Sequence, residues 1–244
     1  MMLNTISNNL ANANTTGFKR AKIEFQDMLY QSQRDAGSET GSGNKLPTSI
    51  EVGNGTQVVS TARVFTQGTI KQTGEKWDIA LDGNGFLEVE LPDGSTGYTR
   101  DGALKVGADG TILTSNGYPV LSNFQAVGQG VEGVSISSDG NVTIRTAEGS
   151  TNFQVRLARF SNPSGLRSVG SNIYKESSGS GPAETGTPGQ GGYGRILQGY
   201  LETSNVNVVE EMVNMITAQR AYEINSKSIQ TSDQMLSTIA QLKR

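Results

Sequence analysis

The residues best placed to do chemistry are acids standing next to glycines. Asp-Gly pairs begin at Asp82, Asp93, Asp101, Asp109 and Asp139, with Asp78, Glu88 and Glu90 close to the first of them. Such a density of carboxylates could hold calcium. A calcium loop, however, needs alternating oxygen ligands, a fixed glycine and a closing bidentate glutamate, and no stretch supplies that spacing. The pairs read instead as turns and a solvated strand face, because glycine takes a positive φ without steric cost.

Gly83-Asn84-Gly85 and Gly128-Gln129-Gly130 are similar to pieces of a phosphate-cradling loop, but neither opens a helix after a strand with the full spacing. The sequence has no Cys and no His. Thiol nucleophiles, disulfides, cysteine zinc sites and imidazole bases are thereby excluded. A pair of carboxylates could still serve as acid and base, yet nothing positions one pair over another. No catalytic, metal-ligating or cofactor-binding residue is assigned, no cofactor is expected, and the expected role is not that of an enzyme.

The chain has 244 residues and a net charge of −3. Its basic residues are scattered apart from Lys19, Arg20 and Lys22, which argues against a nucleic-acid partner. There is no run of about 20 apolar residues, so no direct membrane insertion is expected. The N-terminal stretch lacks the charged, apolar and small-residue sections of a cleavable signal peptide. The protein is expected to stay in the cytosol or to leave by a route that needs no such signal. With 34% apolar residues, one large core is not expected.

Two helices frame the chain. Asn205 to Arg244 contains no Pro and no Gly and carries a seven-residue apolar column: Val208, Met215, Tyr222, Ile229 and Leu236. Its companion column, Met212, Gln219, Ser226, Asp233 and Ala240, is mostly polar, and Ala218, Ala221 and Ser228 flank the seam with small groups. This suits a helix in a multi-helix wall better than a zipper dimer, and alone it should be poorly ordered. Asn207 is the expected N-cap, Glu210 can complete a capping box, and Glu223 and Lys227 can pair across one turn. Met1 to Ala13 also reads as helix, with Leu3, Ile6 and Leu10 on one face, and is too short to be stable without a partner.

Between them the pattern is β. Hairpins are expected through Leu81–Leu91, Thr96–Lys105, Thr111–Thr114, Val134–Ile144 and Phe153–Phe160, forming a small barrel-like or rolled antiparallel sheet. Phe18 to Tyr30 reads as an extended arm or a short helix, 31–49 as a polar loop, Glu176 to Arg195 as a second loop, and Ile196 to Glu202 as one short strand. The expected fold class is mainly β with terminal α-helices, an antiparallel β domain inserted between coiled-coil-forming helical arms. The expected divisions are an arm at 1–30, a linker at 31–65, a β-rich domain at 66–200 and the long helix at 201–244. The candidate functional residues form an assembly interface: Leu3, Ile6, Leu10, Val208, Met215, Tyr222, Ile229 and Leu236. A competing reading is a secreted β-rich binding module with a helical oligomerisation tail, for which the single Trp77 is the main aromatic support.

Several stretches resemble the bacterial flagellar rod and hook proteins. They are Ser7 to Arg20 (SNNLANANTTGFKR), Gln67 to Phe86, Tyr98 to Gly102 (YTRDG), and Gln198 to Lys227 with its QGYLETSNVNV opening. The last is most similar to the distal-rod members, with proximal-rod or hook-type proteins as the alternative. The resemblance implies a structural subunit of the flagellar drive shaft that self-associates into a helical tube. Its terminal helices would form an inner coiled-coil layer lining the export channel, and its β domain an outer layer. The implied partners are other rod proteins, the hook protein, the surrounding ring proteins and the type III export apparatus, and the implied location is the basal body. Tyr30 to Pro47 corresponds to a region tied in that family to a straight, stiff rod. Family members carry several further helical turns before Ser7, so the inner N-terminal helix is expected to be short here.

Overall fold

The computed structural model describes residues 1–37, 47–127, 131–146 and 149–242. It is mainly β, with a helix near each end: α1, Met2–Ala11, and α2, Val208–Leu242. Gly128-Gln129-Gly130 and residues 38–46 of the Tyr30 to Pro47 segment lie outside the described residues.

The chain divides into two compact units. One comprises Met1–Arg20 together with Arg63–Arg244, and the other is Ala21–Ala62. The smaller unit is built from two-stranded pairings: Ala21–Asp27 with the strand starting at Thr56, and Gln31–Arg34 with Ile50–Val52. Phe18 to Tyr30 thus supplies a strand and no helix, and part of the expected 31–49 loop is strand. Asn54 fastens the middle of this unit by donating from Nδ2 to the Leu29 carbonyl at 2.7 Å. The unit leaves Phe25, Leu29, Tyr30 and Val59 exposed.

The larger unit contains small sheets around two apolar clusters. Its broadest sheet has the strand order Arg167–Gly170, Ile173–Lys175, Thr96–Thr99, Leu87–Glu90. Strict alternation builds this face: Leu87, Val89 and Leu91 are buried, while Glu90 is exposed and Glu88 half-buried. Val142 and Ile144 do the same in the sheet formed by Val131–Ile136, Asn141–Thr146 and Gly149–Gln154. The first cluster gathers aliphatic side chains such as Ile79, Leu81, Leu104, Ile112 and Ile196. The second is aromatic, with Phe86, Tyr98, Phe160 and Tyr174 packed edge to face along with Phe65.

The pairing differs from the expected hairpins at several places. The Val134–Ile144 hairpin forms about Asp139-Gly140, with Gly140 at φ +79°. Leu81–Leu91 does not pair with itself: Ile79–Asp82 joins Arg195–Gln198, from far along the chain, and Leu87–Glu90 joins Thr96–Thr99. Asp93-Gly94 and Asp109-Gly110 are the true hairpin turns on either side of Asp101-Gly102. Gly102 serves close packing, because a Cβ there would overlap the Ile79 carbonyl. Thr96–Lys105 and Phe153–Phe160 form no hairpins, since Leu157–Arg159 pairs with Glu184–Gly186 inside the expected second loop. The expected single strand at Ile196 to Glu202 is two, Arg195–Gln198 and Tyr200–Glu202, broken at Gly199 with φ +76°. The architecture is therefore a set of small sheets and not one rolled sheet.

Candidate functional site

The two helices leave the β structure from one joint, assembled from residues 16–20, 63–69, 99–102 and 200–207. Gly17, at φ +67°, lets the chain press against the Arg100–Asp101 backbone, where a Cβ would come within 2.7 Å of the Asp101 nitrogen. Its own N–H donates to the Glu202 carbonyl at 2.8 Å. Next along the chain, Lys19 turns fully inward.

The Lys19 Nζ donates to Glu202 Oε1 at 2.5 Å and to the Thr66 carbonyl at 2.7 Å. Arg100 Nε donates to Glu202 Oε2 at 2.9 Å, and its Nη2 donates to the carbonyls of Gly83 and Leu81. The Gly68 N–H completes the shell of Glu202 at 2.8 Å. Both carboxylate oxygens are thus engaged, and the side-chain exposures of Lys19, Glu202 and Arg100 are 0%, 0% and 3%. Burial pushes the Glu202 carboxyl up, but Arg100 and Lys19 outweigh it and hold the group below the usual carboxylate range. Burial and the neighbouring Arg100 lower the Lys19 ammonium from its ordinary value against the pull of Glu202. Two cations therefore share one anion in a water-poor site.

Further side-chain hydrogen bonds lock the surrounding strands. The Asn205 side chain accepts from the Arg20 N–H at 2.8 Å and donates to the carbonyls of Val64 and Thr66. Asp101 accepts from the Thr16 hydroxyl at 3.0 Å, and Asn172 donates to the Thr16 carbonyl. Burial, with the charge of Asp78 adding to it, raises the Asp101 pKa against the bonds from Ala103 N–H and Thr16.

From this joint α2 extends for 35 residues, about 50 Å at the usual rise per residue. Asn207 caps it by accepting from the N–H groups of Val209 and Glu210. The Glu210 carboxylate takes the Arg20 guanidinium at 3.1 Å, and Glu211 lies 3.8 Å from the same group. Acids in a first turn also suit the positive end of the helix dipole. No ion pair joins Glu223 to Lys227 among the described residues.

α1 packs against α2. The α2 residues not fully exposed are Glu211, Asn214, Met215, Ala218 and Ser226, so one face of the first three turns is covered and nearly everything beyond is open. Of the residues proposed from sequence, Ile6 is buried, and Leu3, Leu10 and Met215 are half-buried. Val208, Tyr222, Ile229 and Leu236 are exposed, the last three at 71%, 64% and 65%. Among the described residues the helix is partly covered at Met215, while Val208, Tyr222, Ile229 and Leu236 stay exposed. A second exposed stripe, Val209, Val213, Ile216 and Ile224, follows helical spacing on another face and is absent from the sequence-derived set. The Lys19, Arg100 and Glu202 cluster was missed too. Its only sequence signal is a charged residue inside each of three motifs far apart in the chain.

Models of known families match three segments. Residues 2–19 match the flagella basal body rod protein family, 80–144 the flagellar hook protein FlgE/F/G D1 domain, and 197–242 the C-terminal region of the flagellar basal body rod FlgEFG proteins. Each matched segment contributes one member of the buried cluster. The flagellar basal-body rod protein FlgG of Buchnera aphidicola subsp. Schizaphis graminum is 46% identical, over 98% of this chain and 93% of that protein. FlgG of Borreliella burgdorferi is 45% identical over 99% and 93%, and FlgG of Bacillus subtilis 38% identical over 99% and 93%. Identity at this level along nearly the whole chain shows that it belongs to the flagellar basal-body rod protein family.

Proposed function

We propose that this chain is a structural subunit of the distal rod of the bacterial flagellum. The observation that carries the reading is α2: a helix of 35 residues whose apolar column is covered by α1 only near its base. Leu3, Ile6 and Leu10 with Val208, Met215, Tyr222, Ile229 and Leu236 form the assembly interface, and the stripe Val209, Val213, Ile216 and Ile224 adds a second contact face. Helices packed lengthwise as a coiled-coil inner layer give a tube, and the β structure forms its outer layer. The joint at Glu202 ties the two, so that torque on one layer reaches the other. The relatives named as basal-body rod proteins support the location. Neighbouring rod proteins, the hook protein and the surrounding ring proteins are the partners, and the type III export apparatus delivers the subunit. Subunit packing is the whole activity, and no reaction is catalysed.

Genetic replacement tests this. The chain, supplied to a bacterium lacking its own distal-rod subunit, restores complete basal bodies and swimming. A chain that is exported and folded yet absent from purified rods contradicts the proposal.

A further inference from the structure

The buried cluster leaves one donor unused. Arg100 is 4% exposed, and its Nε and Nη2 are committed to Glu202, Leu81 and Gly83. Its Nη1 has no acceptor among the described residues. Every fully buried side-chain nitrogen and oxygen among those residues has a partner, so Nη1 touches open space. Arg100 lines a cavity of about 220 Å³ whose walls include Phe65, Phe86 and Phe160. The guanidinium carbon lies 5.9 Å from the centre of the Phe86 ring. Ser161 stands at the cavity with an exposed side chain that makes no hydrogen bond among the described residues. Arg159 also borders it, but its charge is paired with Glu184 at 2.9 Å.

We infer that this cavity is a binding subsite for a carboxylate carried on a short apolar stem. Lys19 and Arg100 share the single charge of Glu202, which leaves one positive charge unmatched and favours an anion over a neutral carbonyl. A carboxylate adds to the hydrogen bond a charge–charge attraction to the guanidinium that a neutral carbonyl lacks. The aromatic walls suit methylene groups. The volume is below the about 300 Å³ at which pockets begin to take drug-sized ligands, and one free nitrogen is too few donors for a phosphate dianion. The carboxylate comes either from a Glu or Asp side chain of a second copy or from a free small acid. Only the first source rests on the assembly proposed above.

The test is an amide NMR titration of the full chain with propionate and with its uncharged isostere propionamide. Propionate shifts the Phe86, Phe160 and Ser161 signals saturably, and propionamide binds about tenfold more weakly, as expected for loss of the charge–charge attraction. Arg100→Lys also disturbs the buried cluster, so Ser161→Trp is the decisive variant: it fills the cavity mouth, leaves Arg100 and Glu202 untouched, and abolishes the propionate response. A photo-crosslinker at Ser161 in assembled rods then separates the sources. Capture of an acidic peptide from a second copy assigns the side chain, and its absence alongside intact propionate binding assigns a free acid. No saturable response, an equal response to propionamide, or a response that survives Ser161→Trp overturns the subsite. None of these outcomes depends on whether rods form.

Discussion

The Lys19 ammonium lies 2.5 Å from a Glu202 carboxylate oxygen, with both side chains wholly buried and 183 positions apart in sequence. This contact closes the chain on itself just below the two helices. Removing one partner of a buried ion pair typically costs about 3–5 kcal/mol, because the remaining charge stays uncompensated. Glu202→Gln strands two cations, Lys19 and Arg100, and is expected to lose stability of about that size in urea unfolding. Lys19→Met leaves the Arg100–Glu202 bond in place and costs less. The pH dependence follows from the lowered Glu202 pKa. Its stabilisation is present above the unfolded carboxylate pKa and is lost as pH falls through the still lower folded value. The gap between wild type and Glu202→Gln therefore closes only in acid beyond the usual carboxylate range.

Asp101 runs the other way. Its raised pKa means that the stability it gives is present below the unfolded value and lost as pH rises through the folded one. Asn in its place still accepts from Ala103 N–H and Thr16 through one oxygen and carries no charge to desolvate. Thermal melts are expected to show Asp101→Asn matching wild type in acid and equalling or exceeding it at neutral pH. A variant that weakens progressively as pH rises contradicts the assignment.

Two glycine substitutions separate packing from conformation. Gly74 has φ +77° with nothing near its missing side chain, so Gly74→Ala carries only backbone strain, about 1–2 kcal/mol. Gly102→Ala drives a methyl into the Ile79 carbonyl beside the joint. It is expected to abolish soluble expression, or to lower the melting temperature far more than Gly74→Ala.

Burial along α2 predicts a gradient of order. Amides near Glu211 to Ala218 lie where one face of the helix is partly covered, whereas from Gln219 to Gln241 every residue but Ser226 is exposed. Burial by packing, more than intrinsic propensity, holds most protein helices. Hydrogen exchange on the monomer is expected to be slow in the first segment and fast in the second, with protection of the second gained on assembly. Uniform protection along the helix in the monomer would show that it needs no neighbour.

The helices were legible in the sequence because their signals are local. Apolar spacing, the Asn207 cap and the absence of Pro and Gly all act within a few turns. The hairpin at Asp139-Gly140 was legible for the same reason. Strand partners were not, because Ile79–Asp82 pairs with Arg195–Gln198 across a separation that no local pattern encodes. Asp82-Gly83 looks like a hairpin turn yet sends the chain away, since Gly83 lies against Gly194. The joint was hidden most completely. Lys19 read as one of a basic trio and Glu202 as the end of a strand, and only the folded chain places both against Arg100. The sequence showed one apolar column on α2, and the structure adds the second stripe by revealing which faces α1 leaves open.

The central claim is that the uncovered faces of α2 are what neighbouring subunits pack against. Incorporation into purified rods by Ile229→Asp and Ile224→Asp, one on each face, tests it most directly, with Gln230→Asp as the polar-site control. Both isoleucines are exposed in the monomer, at 64% and 65%, so neither change should unfold it. The account predicts unaltered monomer melting and export for all three, normal rods and motility for Gln230→Asp, and no incorporation of the two isoleucine variants. Functional rods built from both isoleucine variants would contradict it.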